Sequence, residues 1–175
     1  MMENDHAPED HGEYIYENAR VPAKKIILDQ GRAFEIAQGR LGPGRIHHCM
    51  RLIGQTEREY ELALIHVTDP RKKPQGKLIG EFDSNIERIA SMRLGIDSLR
   101  PVVLNAAHAM DVHGNKPGRY AIGQSKTLVP EVAANIINEC MHVQCRTRLD
   151  PAHSTARDVD LREVRADSRW FRSDA

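Results

Sequence analysis

Three long stretches of this chain place an apolar residue at every third or fourth position, and this spacing constrains the fold more than any other feature. The period matches one face of an α-helix. It predicts helices from near Pro43 to Val67, from about Ser84 to Val112 and from about Arg119 to Val143. Asp69-Pro70 and a turn over residues 113–118 separate them. Long amphipathic helices with tight connections predict a mainly α fold, an up-and-down bundle.

Proline is the main local disturbance in this pattern. In the motif Gly42-Pro43-Gly44 it predicts that one helical segment stops and a new helix begins, since proline is tolerated in a first turn. Arg45 would then lie at the head of the new helix, where backbone N–H groups and a guanidinium can face a phosphate together. Pro101 falls inside the second helix and predicts a kink that costs about 3 kcal/mol unless the bundle accommodates it.

The residues before the first helix predict a small β element. Residues 1–12 are polar and predict disorder. Residues 13–18 alternate and carry aromatics, which predicts one strand, and residues 26–28 could pair with it as a second strand. A lone hairpin is marginal in water, so we interpret this pair as the remnant of a larger sheet. The chain therefore divides into residues 1–30, a helical domain over 31–144, and a tail over 145–175.

Charge and composition exclude several function classes. The chain has 25 Lys and Arg against 25 Asp and Glu, a formal net charge of zero, which gives no electrostatic reason to expect nucleic acid or an anionic membrane as partner. No apolar run approaches the ~20 residues of a membrane span. Three cysteines without metal-ligand spacing favour a reducing compartment. No targeting signal is visible, so we expect an intracellular protein.

Several polar side chains have a structural interpretation beside a functional one. His47 and His48 are adjacent, so on a helix they point about 100° apart, and neither has a ligand at i+4, which predicts no metal site. Cys49 and Cys140 are interpreted as small core residues. Glu57 and Glu59 are interpreted as surface charges of the first helix.

The stretch FEIAQGRLGPGRIHHCMR, residues 34–51, resembles the opening of the C-terminal helical domain of acyl-CoA dehydrogenases. Residues 16–22 are similar to the last strand of the family's middle β-domain, which residues 1–30 would partly retain. Residues 69–77 stand where the family places an Arg-rich turn. The resemblance runs from about Glu9 to Val143.

The resemblance implies a chemistry and a set of binding residues. In the family a carboxylate removes the α-proton of an acyl-CoA thioester while the β-hydrogen leaves as hydride to the flavin of FAD. It implies that Arg45 and Gly44 help to hold the CoA-linked substrate. It also implies that Arg71, Lys72 and Gln75 lie against the FAD pyrophosphate of a neighbouring subunit, although the family's usual Arg and Phe are replaced by Lys72 and Gln75.

The resemblance also implies that parts of the family's chain are missing. Most of the family's upstream domains are absent, and residues 145–175 are rich in Arg and Asp, contain no Lys and have no helical period. If the codons of residues 158–162 are read one nucleotide later, they can encode Met-Trp-Thr-Tyr-Ala. This sequence resembles the C-terminal part of the family's chain. We therefore expect the tail to be translated out of frame and to be disordered. The bundle is then incomplete, and no catalytic residue is assigned.

Two functions remain open at this point. One is an inactive fragment of an acyl-CoA dehydrogenase, placed by resemblance in mitochondria or peroxisomes and otherwise in the cytoplasm. The other is a non-catalytic helical protein that self-associates or pairs with a full-length paralogue, because its apolar faces lack the partners they packed against. Either way we expect a homo-oligomer or a paralogue as partner, and no dehydrogenase activity from the chain alone.

Overall fold

Three long α-helices make up most of the structure. The computed structural model describes residues 14–144, and its helices are α1 (Ala33–Val67), α2 (Asp83–His113) and α3 (Asn115–Gln144). Short 3-10 turns lie at Ala23–Lys25, Pro74–Gly76 and Ile79–Glu81. The mainly α class predicted from the apolar period is confirmed. The predicted disorder of residues 1–12 and the predicted out-of-frame tail lie outside the described residues.

The chain divides into two compact units, whose described parts are residues 14–36 and 37–144. The described part of the first unit contains one 3-10 turn and the start of α1, and no strand. Asn18 and Leu28 have positive φ values of 49° and 62°, so both predicted strands meet a left-handed residue. The strands predicted over residues 13–18 and 26–28 are therefore not formed over residues 14–28. Tyr14 and Tyr16 are correspondingly exposed.

The second unit is a bundle whose core has two clusters of buried side chains, each drawn from all three helices. The first cluster contains Ile46, Cys49, Leu52 and Ile53 of α1, Leu99, Val103 and Ala106 of α2, and Ile122, Val129 and Ala133 of α3. The second contains Tyr60, Ala63 and Val67 of α1, Met92 and Ile96 of α2, and Ile136, Cys140 and Val143 of α3. Residue numbers rise between the clusters in α1 and α3 and fall in α2. Adjacent helices are therefore antiparallel, and the predicted up-and-down bundle is confirmed.

The helix boundaries differ from the prediction at the start of α1 and at the start of α3. α1 begins at Ala33 and continues through Pro43 as one helix of 35 residues, so the predicted interruption and restart are wrong. α1 ends at Val67 as predicted, and α2 contains Pro101 and agrees within one residue with the predicted helix over Ser84–Val112. α3 begins at Asn115 because Gly114 alone, with a φ of 83°, separates it from α2. Glycine adopts this left-handed conformation without steric cost.

Charged side chains join α1 to α2 on the outside of the bundle. Glu57, interpreted as a surface charge of the first helix, is partly exposed; Arg93 donates to it at 2.6 Å and Arg100 donates to the same carboxylate at 3.1 Å. The Arg93 hydrogen bond holds the pKa of Glu57 below its usual value. Glu59 is 1% exposed, so its interpretation as a surface charge is wrong. Cys49 and Cys140 are fully buried, as predicted.

Candidate functional site

The first predicted binding site, Gly44 and Arg45, lies in the interior of α1. Arg45 is half-buried and stands twelve residues after the first residue of α1, Ala33. The backbone N–H groups next to Arg45 belong to a continuous helix. The prediction that Arg45 lies at a helix N-terminus is therefore wrong. Recognition of an anion here would depend on the guanidinium itself, which offers five donors in a planar fork.

A side chain from the start of α3 contacts α1 one turn before Pro43. Proline has no N–H, so Pro43 cannot donate to the carbonyl of Gly39 one turn earlier. Asn115 Nδ2 donates instead, at 3.4 Å to the Gly39 oxygen and at 3.2 Å to the Gln38 oxygen. Gly42 makes room for this side chain, because a Cβ there would overlap Asn115 Oδ1.

Arg40 is a cation that the sequence analysis did not single out. Its Nη1 lies 3.7 Å from the position that a Cβ on Gly44 would take, an ordinary van der Waals distance. Arg40 and Arg45 are five residues apart, so their side chains leave α1 about 140° apart. The two side chains therefore lie on different faces of the helix. The space around Gly44 would also accommodate a Cβ, so packing does not require a glycine there.

The second predicted site is the turn that follows α1. Arg71 is 87% exposed and uses Nε and Nη2 to hold both carboxylate oxygens of Asp69, at 2.9 and 2.8 Å. The backbone N–H of Arg71 also donates to Asp69, at 3.0 Å. The hydrogen bonds from the Arg71 side chain, followed by the one from its backbone N–H, hold the pKa of Asp69 well below its usual value. The local ion pair orients the guanidinium and leaves its outer edge toward solvent.

Lys72 and Gln75 have different surroundings in this turn. The Lys72 ammonium donates to His66 Nδ1 at 2.8 Å and lies 3.8 Å from Asp69 Oδ2. An ammonium donor requires that His66 Nδ1 carry no proton. Gln75 has a φ of 57° in the Pro74–Gly76 turn, a left-handed conformation uncommon for a residue with a Cβ. Gln75 is exposed at the tip of the turn.

The two predicted sites lie far apart within one chain. Arg45 is separated from the end of α1 at Val67 by roughly 33 Å of helix, at 1.5 Å per residue. Arg45 and Gly44 therefore form one surface, and Arg71, Lys72 and Gln75 form another. A single small group cannot contact both surfaces of the same chain.

A groove between α2 and α3 is a concave surface that the sequence analysis did not find. It has a volume of about 630 Å³ and its floor includes Met92, Gly95 and Ile136. An ion pair of 3.2 Å between Arg88 and Glu139 lies at its rim. The groove depends on tertiary packing, because its lining comes from two segments, residues 84–95 of α2 and residues 132–139 of α3, that are distant along the chain.

Two further classes of site are absent from the described structure. Over residues 14–144 no group of three His, Cys, Asp or Glu side chains could hold a metal ion, and His47 and His48 are both exposed. In the same residues, no helix combines the length and apolar character that crossing a membrane demands.

Comparison with known proteins identifies relatives of this bundle. Residues 31–159 match the family model described as acyl-CoA dehydrogenase, C-terminal domain, so the match continues past Val143, where the resemblance is predicted to end. The chain is 43% identical over 139 residues to Probable acyl-CoA dehydrogenase IBR3 of Arabidopsis thaliana, covering 79% of this chain and 17% of that protein. It is 46% identical over 134 residues to mouse acyl-CoA dehydrogenase family member 10, covering 77% of this chain and 12% of that protein.

A solved structure has the same architecture. It is described as an acyl-CoA dehydrogenase from Mycobacterium abscessus, and it aligns with a TM-score of 0.74 at 36% sequence identity. The alignment covers 87% of this chain and 36% of that one. This chain therefore spans less than half of the solved structure and less than a fifth of each of the two curated relatives.

Proposed function

This chain belongs to the acyl-CoA dehydrogenase family, and on that premise we propose that it acts as the C-terminal helical domain of a flavin-dependent oxidoreductase. The reaction would be α,β-dehydrogenation of an acyl-CoA thioester. The observation that carries the proposal is the match of the family's C-terminal domain to residues 31–159, most of which form the three-helix bundle. The domain would contribute binding surfaces, and the remainder of the active site would come from elsewhere.

The first of these surfaces would hold part of the acyl-CoA. Arg45 supplies a permanent positive charge and a planar donor set, which matches the phosphate oxygens of coenzyme A. Gly44 precedes it and carries no side chain that could compete for the same space. The continuous α1 helix supports this proposal, because a residue on a rigid helix presents its side chain in a fixed direction.

The second surface would hold part of FAD. The turn after α1 fits a diphosphate chemically, because residues 69–77 contain four cations, Arg71, Lys72, Lys73 and Lys77, and one carboxylate, Asp69. Arg71 and Lys72 would neutralise the pyrophosphate, and the exposed Gln75 would donate a hydrogen bond. FAD, when bound, supplies the hydride acceptor. Since Arg45 is remote from this turn, the two surfaces would serve different active sites of an assembly.

No residue of this chain is assigned as the base that removes the α-proton. We therefore expect no turnover of any acyl-CoA by the isolated chain with an artificial electron acceptor. Measurable turnover would show that the chain itself contains a complete active site.

Flavin binding tests the proposal directly. The full chain is mixed with FAD, separated from unbound flavin and examined for visible flavin absorption. We expect binding that is lost in the double variant Arg71→Ala/Lys72→Ala. The double variant Lys24→Ala/Lys25→Ala is the matched control, because it removes two cations from another exposed turn. A colourless wild-type protein, or equal flavin loss in both double variants, would contradict the proposed FAD surface.

Exposed aliphatic side chains on α2 favour a partner as part of this function. Ile86, Leu94, Leu104 and Val112 are all more than half exposed. Apolar surface of this kind is typical of a protein that binds another copy or a related chain. We propose a homo-oligomer or a complex with a full-length paralogue. Analytical ultracentrifugation of the full chain, with Leu94→Ser as the disrupting variant, tests self-association.

The family also suggests where the protein acts. We propose mitochondria or peroxisomes as the compartment, on the resemblance to fatty-acid-oxidising relatives alone. Fluorescence microscopy of the full chain tagged at its C-terminus tests this, and an evenly cytoplasmic signal would contradict it.

A further inference from the structure

Pro43 creates an unusual requirement in the middle of α1. In an α-helix the carbonyl of residue 39 accepts a hydrogen bond from the N–H of residue 43. Pro43 has no N–H, and a proline in a helix interior destabilises the helix. The helix nevertheless continues through this position without a break. The Gly39 carbonyl therefore lacks its helical donor, and because Gly39 is exposed it can accept a hydrogen bond from another side chain or from water.

Asn115, the first residue of α3, supplies a side-chain donor to this part of α1. Its Nδ2 group lies 3.4 Å from the Gly39 oxygen and 3.2 Å from the Gln38 oxygen. An Asn side chain has two N–H donors on one nitrogen, so it can serve both carbonyls at once. An Asp would offer only acceptors and would repel the same carbonyls.

Two glycines make the approach of Asn115 possible. Gly42 is buried, and any Cβ at this position would overlap the Asn115 amide. Gly114, with a φ of 83°, ends α2 immediately before Asn115 and lets α3 begin there. The motif Gly42-Pro43-Gly44 therefore does not break the helix. Its first glycine leaves space for the side chain of Asn115, 73 positions further along the sequence.

We propose that Asn115 is a positioning residue: it donates the hydrogen bond that Pro43 cannot, and so fixes the turn of α1 that carries Gly44 and Arg45. The bond joins α3 to α1 at Gln38 and Gly39, nearly two turns before Arg45, so it helps to set the direction in which the guanidinium leaves the helix. The link to coenzyme A rests on the proposed function. The hydrogen-bond role of Asn115 does not.

A double-mutant cycle on the full chain separates this role from ordinary packing. Pro43→Ala restores the missing N–H, so the Gly39 carbonyl no longer depends on Asn115. We expect Asn115→Ala to lower Tm by about 3 °C in the wild-type background and by less than about 1 °C in the Pro43→Ala background. Equal losses of Tm in both backgrounds would overturn the proposal, because packing by Asn115 does not depend on residue 43.

Hydrogen exchange localises the effect and keeps the test valid if Asn115→Ala folds poorly. The milder variant Asn115→Ser shortens the side chain and removes the amide. We expect faster exchange in peptides covering residues 38–46 and unchanged exchange around residue 60. Faster exchange along the whole bundle would contradict a local positioning role.

Binding of coenzyme A tests the consequence for Arg45. We expect Asn115→Ala to raise the Kd for coenzyme A about fivefold and Pro43→Ala/Asn115→Ala to restore most of the affinity. If Arg45→Ala weakens binding and Asn115→Ala does not, the positioning role is wrong. If Arg45→Ala leaves binding unchanged, the proposed coenzyme A surface is wrong, and the Tm cycle alone decides the role of Asn115.

Discussion

The two proposed binding surfaces are held in place in opposite ways. The turn containing Gly42 and Arg45 is part of a long helix and is fixed by Asn115, a residue of another helix. The turn containing Arg71 lies on the surface and is fixed by Asp69, two residues away. The first surface depends on the fold of the whole bundle, whereas the second can form from local sequence. Mutations that remove the supporting contact should therefore lower stability as well as binding at the first surface, and should lower binding alone at the second.

The largest expected effect is that of Gly42→Ala. The new methyl group must displace Asn115, so we expect a loss of about 2–3 kcal/mol in the free energy of unfolding. Gly54→Ala is the matched control in the same helix, since a Cβ there meets nothing within 4 Å. It should stabilise the protein by about 0.5–1 kcal/mol. Urea unfolding measures the free energy of unfolding of both variants. Equal stability of the two variants would contradict the close packing of Asn115 against Gly42.

The next effect concerns the ion pair between α1 and α2. Arg93→Met removes the 2.6 Å bond to Glu57 and the contact with the Tyr60 ring, 5.4 Å away, and should cost about 1–2 kcal/mol. Arg58→Met is the control, because Arg58 pairs with Glu61 within the same helix and both are more than half exposed. It should cost at most about 0.5 kcal/mol. Thermal unfolding that ranks the two variants in the reverse order would contradict this account.

The same ion pair predicts how stability depends on pH. Arg93 lowers the pKa of Glu57 from 4.5, so the contribution of Glu57 to stability is complete above pH 4.5. It is lost as the pH falls through the lower pKa of the folded state. Glu57→Gln should therefore show a shallower loss of stability on acidification than the wild type. Urea unfolding at a series of pH values measures the slope, and equal slopes for Glu57→Gln and the wild type would contradict this role of the ion pair.

The smallest effect on stability should come from the exposed turn. Arg71 is 87% exposed and its ion pair with Asp69 is local, so we expect Arg71→Ala to leave Tm unchanged. The same variant should weaken flavin binding. A fall in Tm as large as that of Arg93→Met would show that the turn is coupled to the bundle core.

Local patterns in the sequence are sufficient to predict the helices and most of the core. The apolar period places Ile53, Ile96 and Ile137 inside, and the structure buries all three. It fails for Ile86, which is 51% exposed because no described helix covers that face. The two strands fail because no sheet is present over residues 14–28 to pair with them.

Errors at the candidate site have a non-local cause. Gly42-Pro43-Gly44 predicts a helix break when only its neighbours are considered, whereas in the structure α1 is continuous and Asn115, from another helix, donates to its backbone one turn before Pro43. Glu59 is surrounded by charged residues in the sequence and is nevertheless buried, because its face of α1 turns toward the bundle. The turn at residues 69–77 was located correctly, since Asp69-Pro70 ends the helix by local rules. Its binding role stays a prediction.

Coenzyme A binding to the full chain tests the central claim most directly. Isothermal titration would compare the wild type, Arg45→Ala and Arg51→Ala, in which the last variant removes an exposed arginine six residues further along the same helix. The account predicts saturable binding, a roughly tenfold weaker Kd for Arg45→Ala and wild-type affinity for Arg51→Ala. Equal affinities for the two arginine variants, or no binding by the wild type, would contradict it.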